Sequence, residues 1–292
     1  MENMGNALRM MMSKFTVKTD EICEIHGIPK VIARNRDDMQ PFCTECRKLE
    51  IEQQEKERAD KALKADIKRK TYDALKYDSI CTDDDVWKAS FNSFRTDGKH
   101  AETLKEIKDK ARHIAGEYLA TKIETDEKGK KVIVRNEFNT ILSGKAGSGK
   151  SHLAMSILKA VNEHADPWQS CIFVSVVDLM MLIRDSFGKP DSKYTEANMI
   201  DLLTSCDLLV LDDLGTESSL MRNTNESSEF VQRILFSILS RKRTIITTNL
   251  TSEELMAIYN PKIFSRINKG VGRDGSHIIK MPDGLDDKRV LF

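Results

Sequence analysis

Residues from about 80 onward alternate short apolar runs with longer amphipathic segments. The apolar runs are five or six residues long and predict strands, whereas the segments between them have the periodicity of helices. Predicted strands lie at residues 139–143, 171–176, 207–212 and 244–248, and predicted helices at about 101–120, 150–163, 177–187, 196–205 and 226–241. Apolar strands separated by helices are typical of a parallel sheet that is covered on both faces. A hairpin is also predicted, because the sequence that starts at Glu124 turns near Gly129.

Residues 47–76 follow a different pattern, without glycine or proline and rich in Glu, Lys and Ala. This composition predicts a solvated helix. The apolar stripe is thin and consists of Ile51, Ala59, Leu63 and Ile67. A spacer helix is the favoured interpretation, and a dimer-forming coiled coil is the alternative, for which sustained heptads are missing.

The predicted fold class is therefore α/β, with a parallel sheet and flanking helices. The chain of 292 residues has room for one large core and a small accessory domain. The predicted division is a small N-terminal domain over residues 1–46, a helical linker over residues 47–78 and an α/β domain over residues 79–292.

Charge and hydropathy limit the function classes. The formal net charge is +0, which does not indicate a globally basic nucleic-acid binder, so any DNA contact would come from local patches. No apolar run is long enough to span a membrane, and the N-terminus lacks the apolar region of a signal peptide. We therefore expect a cytoplasmic protein without a membrane partner.

A glycine-rich loop follows the predicted strand at residues 139–143 and opens an amphipathic helix. It fits the phosphate-loop pattern G-x-x-x-x-G-K-[ST], in which backbone N–H groups and the helix N-terminus cradle phosphates. Lys150 is predicted to reach the β- and γ-phosphates of ATP, and the Ser151 hydroxyl to bind Mg²⁺. The predicted nucleotide-binding residues are Gly144, Lys145, Ala146, Gly147, Ser148, Gly149, Lys150 and Ser151.

Polar residues end two further predicted strands. Asp212 and Asp213 follow four apolar residues, and they emerge at the end of the sheet where α/β proteins bind ligands. Asp212 is predicted to orient the Mg²⁺ shell, and Asp213 to polarise the attacking water. Asn249 ends the next strand; on local grounds it either holds that water or starts the turn into a helix at Ser252.

Four residues near the N-terminus form two knuckles, Cys23-x-x-His26 and Cys43-x-x-Cys46. This spacing predicts a tetrahedral Zn²⁺ site, and so small a domain needs a bound metal to stabilise its fold. His26 is the least certain ligand, since a lone histidine is more often on the surface. Redox chemistry at the second knuckle is the alternative, although no thioredoxin-like pattern surrounds it. The remaining cysteines are interpreted as small apolar residues, namely Cys81, Cys171 and Cys206.

These motifs together resemble the AAA+ ATPases, and within them the replicative helicase loaders of the DnaC/DnaI type. The phosphate loop followed by His152-Leu153-Ala154 is similar to the family's GKTHLA. The phrase Leu209–Glu217 is similar to its LDDLGAE, and Ile245–Leu250 to its sensor 1 strand, which implies a functional Asn249. Ser90–Phe94 resembles the aromatic segment that opens the ATPase domain.

The resemblance also implies residues that no local pattern would single out. Ile263–Ile267 resembles the phrase that carries an arginine finger, so Arg266 would complete the site of a neighbouring subunit. Arg289 is either a sensor 2 arginine or a terminal surface charge. The phrase Val174–Phe187 resembles a region that contacts single-stranded DNA in these loaders. The candidate DNA contacts, each of which could equally be a solvated surface residue, are Arg184, Lys189 and Lys193.

The predicted function is ATP-dependent loading of the hexameric replicative DNA helicase onto single-stranded DNA. The resemblance implies that the zinc domain engages the helicase and that the ATPase domains self-associate, in a bacterial or phage-encoded protein. One alternative is a transposition helper ATPase of the IstB type, which shares the ATPase core but lacks the zinc domain. The other is a nucleotide-gated adaptor with little turnover.

Overall fold

The computed structural model describes residues 15–34, 40–217, 225–240, 243–272 and 274–285. The chain divides into two compact units, residues 1–67 and residues 68–292. The boundary lies within the last turn of a long helix. The predicted three-part division, with boundaries at residues 46 and 78, stays a prediction.

The first unit consists of a hairpin and the helix that follows it. Strands β1 (Thr16–Ile22) and β2 (Pro29–Ala33) are antiparallel, with an irregular register between Lys18 and Ile22. Helix α1 (Thr44–Lys70) has no buried residue. The prediction of a solvated helix is therefore confirmed for residues 47–70. It is wrong for residues 71–76, which leave this helix, because Ala74 and Leu75 are buried.

The second unit is built on a parallel sheet of five strands. The strands are β5 (Thr140–Ser143), β6 (Cys171–Ser175), β7 (Leu208–Asp212), β8 (Thr244–Thr248) and β9 (Ile278–Lys280). Their order in the sheet is β6-β7-β8-β5-β9, and every pair is parallel. Strand β8 therefore lies between β5 and β7, which the linear sequence does not reveal.

Apolar residues cover both faces of this sheet, as the predicted strand type requires. Alternate residues of β6 point to opposite sides: Ile172 and Val174 join one apolar cluster, whereas Cys171 and Phe173 join the other. Helices α4 (Ala101–Leu119) and α5 (Lys150–His164) cover one face. The other face is covered by α6 (Val176–Asp185), α7 (Glu196–Ser205), α8 (Asn225–Ile238), α9 (Ser252–Ile258) and α10 (Pro261–Ile267).

Short elements complete the second unit. Helices α2 (Ala74–Tyr77) and α3 (Asp84–Trp87) precede α4, and an antiparallel hairpin of β3 (Thr121–Thr125) and β4 (Lys131–Arg135) follows it. The hairpin predicted near Gly129 is confirmed. No described helix is long and apolar enough to cross a membrane.

The predicted fold class is confirmed: the second unit has a parallel sheet with flanking helices, and the glycine-rich loop follows β5. Because the strands are parallel, the residues that follow β5, β7 and β8 emerge at one edge of the sheet. This edge brings together residues that lie about 100 positions apart in sequence, as Lys150 and Asn249 do.

Candidate functional site

The loop between β5 and α5 has the backbone geometry of a phosphate cradle. Gly144, Gly147 and Gly149 have φ values of 146°, 74° and 95°, a region that favours glycine. Gly149 is the N-cap of α5, so no side chain caps the first turn of this helix. The positive end of the helix dipole thus faces the loop, where it favours an anion such as a phosphate.

Three polar side chains, which follow three different strands in sequence, meet beside this loop. The Lys150 ammonium donates a hydrogen bond to Asn249 Oδ1 at 2.6 Å, and another to the Lys145 carbonyl at 2.9 Å. The Asn249 amide in turn donates to Asp213 Oδ1 at 3.3 Å. The strand order explains this chain of contacts, since β8 carries Asn249 between the other two residues. Asn249 therefore contacts both Lys150 and Asp213, and its role in holding the attacking water stays a prediction.

Asp212 lies beside this trio, buried at the end of β7. The Thr247 hydroxyl donates to Asp212 Oδ1 at 2.6 Å and accepts from the Asp213 N–H at 2.9 Å. Ser151 also hydrogen-bonds the Asp212 side chain. A carboxylate next to a hydroxyl is a donor set that suits Mg²⁺, which prefers oxygen ligands. The residues present therefore fit the predicted magnesium site.

Asp213 has an unusual backbone conformation. Its φ of 58° lies in the left-handed region, which residues other than glycine seldom adopt. Such a conformation costs about 1–3 kcal/mol and persists only where neighbouring contacts impose it. Here the Thr247 hydroxyl holds the Asp213 N–H, and the carbonyl of Thr247 accepts from the Leu214 N–H at 2.9 Å.

The two N-terminal knuckles converge on one point in the first unit. His26 Nδ1 lies 3.3 Å from Cys46 Sγ, 3.7 Å from Cys43 Sγ and 3.8 Å from Cys23 Sγ, and the sulfurs of Cys23 and Cys46 are 3.7 Å apart. Zinc with bonds of about 2.3 Å to sulfur and about 2.0 Å to nitrogen needs tetrahedral edges of about 3.5–3.8 Å. The four side chains therefore fit Zn²⁺, with His26 turned toward the sulfurs rather than toward solvent.

The backbone at the first knuckle favours a thiolate. Hydrogen bonds from the backbone N–H of His26, and then from its side chain, lower the pKa of the Cys23 thiol to about 6. A thiolate is the form of cysteine that binds a metal. Of the three remaining cysteines, Cys171 and Cys206 are buried as the sequence predicts, whereas Cys81 is half-buried.

The chain is similar in sequence to known proteins over part of its length. The family described as IstB-like ATP binding protein matches residues 122–266. The replicative helicase loader DnaC of Escherichia coli strain K12 is 29% identical over 130 residues, or 44% of this chain and 50% of the relative. DnaC of Buchnera aphidicola subsp. Schizaphis graminum is 30% identical over 130 residues, with the same shares. Over its ATPase core the chain is therefore similar to IstB-like ATP binding proteins and to DnaC.

The chain spans about half the length of the curated relatives it matches. Among solved structures, a crystal structure of the DnaC helicase loader is 20% identical, with a TM-score of 0.47. The match covers 68% of this chain and 100% of the DnaC chain.

Arg266 lies away from the chain's own phosphate loop. The side chain of Asn139, immediately before β5, donates to the Arg266 carbonyl at 2.8 Å, whereas the phosphate loop follows the opposite end of β5. The Arg266 guanidinium stacks on the Phe236 ring, 3.4 Å from its centroid, and donates to the Phe236 carbonyl. The structure therefore brings together the predicted residues of the loop, β7 and β8, but not Arg266.

The candidate DNA contacts are dispersed over the surface near α6. Arg184 lies over the Phe230 ring at 5.6 Å, and the exposed Phe187 packs edge-on against the same ring. Lys193 instead lies over the Tyr194 ring at 4.7 Å. Arg289 lies outside the described residues.

Two contacts near the phosphate loop were not predicted. Phe94 packs edge-on against His152, and a Cβ added to Gly149 would lie 3.0 Å from the Phe94 ring. The Ser93 hydroxyl also lies 3.2 Å from His152 Nε2. The segment Ser90–Phe94 therefore supports the first turn of α5. The family resemblance includes both the segment Ser90–Phe94 and His152, but only the fold shows that they are in contact.

The zinc site makes a prediction about metal content. The purified chain is expected to hold one zinc per chain, and Cys43→Ser is expected to lose it, because a structural site needs all four ligands. Metal content measured by mass spectrometry checks this. Cys206→Ser is the matched control and is expected to keep the zinc. Equal zinc in wild type and Cys43→Ser would contradict the assignment.

The burial of Asp212 predicts that the free energy of unfolding depends on pH. Burial raises the pKa of Asp212 from 3.8 to about 6, so the folded chain holds a proton that the unfolded chain releases. Without nucleotide, ionised Asp212 should therefore destabilise the fold by up to about 3 kcal/mol above pH 6, and not below about pH 4. Asp212→Asn in EDTA is expected to gain stability over wild type by up to this amount as pH rises through that window.

Urea unfolding followed by tryptophan fluorescence measures this difference, since the two tryptophans, Trp87 and Trp168, both lie in the second unit. Asp85→Asn is the control. Because Lys88 lowers the pKa of the Asp85 carboxyl, this variant should not gain stability with rising pH. A difference between Asp212→Asn and wild type that does not change with pH would contradict the burial argument.

Proposed function

We propose that this chain is an ATP-dependent loader of a hexameric replicative DNA helicase onto single-stranded DNA. The observation that carries the proposal is the convergence of Lys150, Asn249 and Asp213 beside a phosphate loop, in a chain that also has a Cys₃His cluster in a separate unit. The relatives that share the ATPase core are described as replicative helicase loaders.

The nucleotide site has the parts that ATP hydrolysis requires. Lys150 is the group that neutralises phosphate charge, and its contact with Asn249 shows that the two side chains reach one point. Asp213 holds the attacking water and accepts its proton, with Asn249 orienting that water. Mg²⁺ bound by Ser151 and Asp212 supplies electrostatic stabilisation to the phosphates.

Arg266 supplies the remaining charge from a neighbouring copy. Its backbone lies at the end of β5 opposite to the phosphate loop, so its own site is out of reach. A second copy can present the same surface to that site, and an arginine supplied in trans raises phosphoryl-transfer rates by about 10³–10⁵. ATP hydrolysis therefore depends on self-association.

The zinc unit is the contact with the helicase, and the ATPase unit is the contact with DNA. The zinc unit exposes apolar side chains, among them Ile22 and Ile25, which are 63% and 80% exposed. On the ATPase unit, Arg184 and the exposed Phe187 combine a cation with an aromatic face, the chemistry that single strands recognise. Lys189 and Lys193 are the further candidate contacts.

The alternative function is a transposition helper of the IstB type. The match of residues 122–266 to the IstB-like family favours it, but that match excludes the zinc cluster. An adaptor that binds ATP with little turnover would leave Asp213 without a role, although its strained backbone places it beside Asn249.

The test combines helicase binding with ATP turnover. The full chain is expected to co-purify with the replicative helicase of its host. The amount of helicase recovered is expected to differ between ATP and ADP. Cys43→Ser should lose the helicase while retaining ATP binding. Lys150→Ala should lose ATP binding and turnover, whereas Lys128→Ala, on the exposed hairpin between β3 and β4, should retain both.

Each alternative predicts a different result. Failure to bind the helicase in any nucleotide state would end the loader proposal. Stimulation of a transposase without helicase contact would establish the IstB-type function. ATP binding without DNA- or helicase-dependent turnover would favour the adaptor.

A further inference from the structure

Glu217 is a buried acidic residue for which the hydrolytic site has no use. Its side chain is completely inaccessible to solvent. One carboxylate oxygen accepts from the Gly215 N–H at 2.8 Å, and the other accepts from the Tyr259 hydroxyl. Burial raises the pKa of Glu217, which opposes the charged form, whereas the Tyr259 hydroxyl favours it. Since a buried carboxylate without partners would be strongly destabilising, these two contacts fix its position.

The first partner of Glu217 belongs to the loop that leaves the catalytic edge. This loop starts at Asp213, two residues before Gly215. Gly215 has a φ of 102°, and a Cβ there would lie 2.3 Å from the Leu250 side chain, next to Asn249. The Leu214 carbonyl also accepts from the Thr248 hydroxyl at 2.7 Å. The loop is therefore pressed against the residues that follow β8, so a shift of Asn249 or Asp213 must move it.

The second partner, Tyr259, lies in the turn before the helix that carries Arg266. Tyr259 is buried between α9 and α10. The next residue, Asn260, caps α10 by accepting from the Lys262 N–H at 2.9 Å, and Pro261 starts that helix. Arg266 lies in the last turn of α10, five residues further on. A side-chain link between Glu217 and Tyr259 thus joins the nucleotide edge to the helix that presents Arg266.

The geometry points to Glu217 and Tyr259 as a positioning pair that sets the orientation of α10, and with it Arg266, according to the nucleotide bound at Lys150. The inference rests on the proposed function, because it needs ATP at that site and Arg266 acting on a neighbour. When phosphates attract Lys150 away from Asn249, the contact of Asn249 with Asp213 changes. The loop from Asp213 to Glu217 carries the change to Tyr259.

The chain offers variants that separate this role from simple packing. Tyr259→Phe removes the hydroxyl and keeps the ring, so it cuts the link without opening a cavity. Glu217→Gln keeps the link, because its amide oxygen can accept from the Gly215 N–H while its NH₂ donates to Tyr259. Glu217→Ala removes the link completely. Tyr77→Phe, at an exposed tyrosine, is the control.

The experiment measures hydrogen exchange of residues 252–267 in the full chain, with and without a non-hydrolysable ATP analogue, together with ATPase rates. In wild type and Glu217→Gln, the analogue is expected to change exchange in this segment. In Tyr259→Phe and Glu217→Ala the change should be lost, with analogue affinity unaltered. The turnover of Tyr259→Phe should fall at least about tenfold, since misplacing a catalytic group by 1 Å can cost about 100-fold.

A double-variant comparison shows whether the pair acts through Arg266. Tyr259→Phe added to Arg266→Ala should cause no further loss of turnover, whereas a general loss of folding would multiply the two effects. Analogue binding without any exchange response in wild type, or full turnover in Tyr259→Phe, would overturn the inference and leave the proposed function standing. If wild type does not bind the analogue at all, both are lost.

Discussion

The structure depends on one constraint, that five parallel strands end at the same edge with β8 between β5 and β7. This order makes the chain of contacts from Lys150 through Asn249 to Asp213 possible, although β5 and β7 are not neighbours. The Thr247 hydroxyl then holds Asp212 and the backbone of Asp213 in one arrangement. A different strand order would leave the same residues as isolated polar groups at strand ends.

The same sheet also separates Arg266 from the phosphate loop. Asn139 ties Arg266 to one end of β5, and the phosphate loop leaves the other end. Each copy of the chain would therefore hold one half of a site and offer the other half to a neighbour. The buried pair of Glu217 and Tyr259 connects the loop after β7 with the residue before α10, and we infer that it would couple nucleotide occupancy to presentation of the arginine. The zinc unit would connect this cycle to the helicase.

Much of this could be predicted from sequence because the signals are local. Apolar runs predicted the strands β5, β6, β7 and β8 to within one or two residues, and the glycine-rich loop predicted the start of α5. Strand β9 was not predicted, since three residues carry no periodicity. The hairpin of β1 and β2 was also not predicted, because its β1 is largely exposed and lacks an apolar pattern.

The contacts that bring the candidate site residues together join residues that lie far apart in sequence. The role of Asn249 was undecided on local grounds because it depends on which strands flank β8. Glu217 and Tyr259 are 42 residues apart, and no spacing rule relates them. Likewise, Phe94 and His152 come together only because the segment before α4 returns to the phosphate loop.

The central claim is that one subunit's phosphate loop is completed by another subunit's Arg266. It is tested most directly by measuring ATP turnover in an equimolar mixture of Lys150→Ala and Arg266→Ala chains. Alone, Lys150→Ala should be inactive and Arg266→Ala should retain only a residual rate. Random association leaves about one quarter of the sites with an intact loop and an intact neighbouring arginine, so about a quarter of wild-type turnover should return. A mixture as inactive as its two components, under conditions where wild-type chains self-associate, would contradict the account.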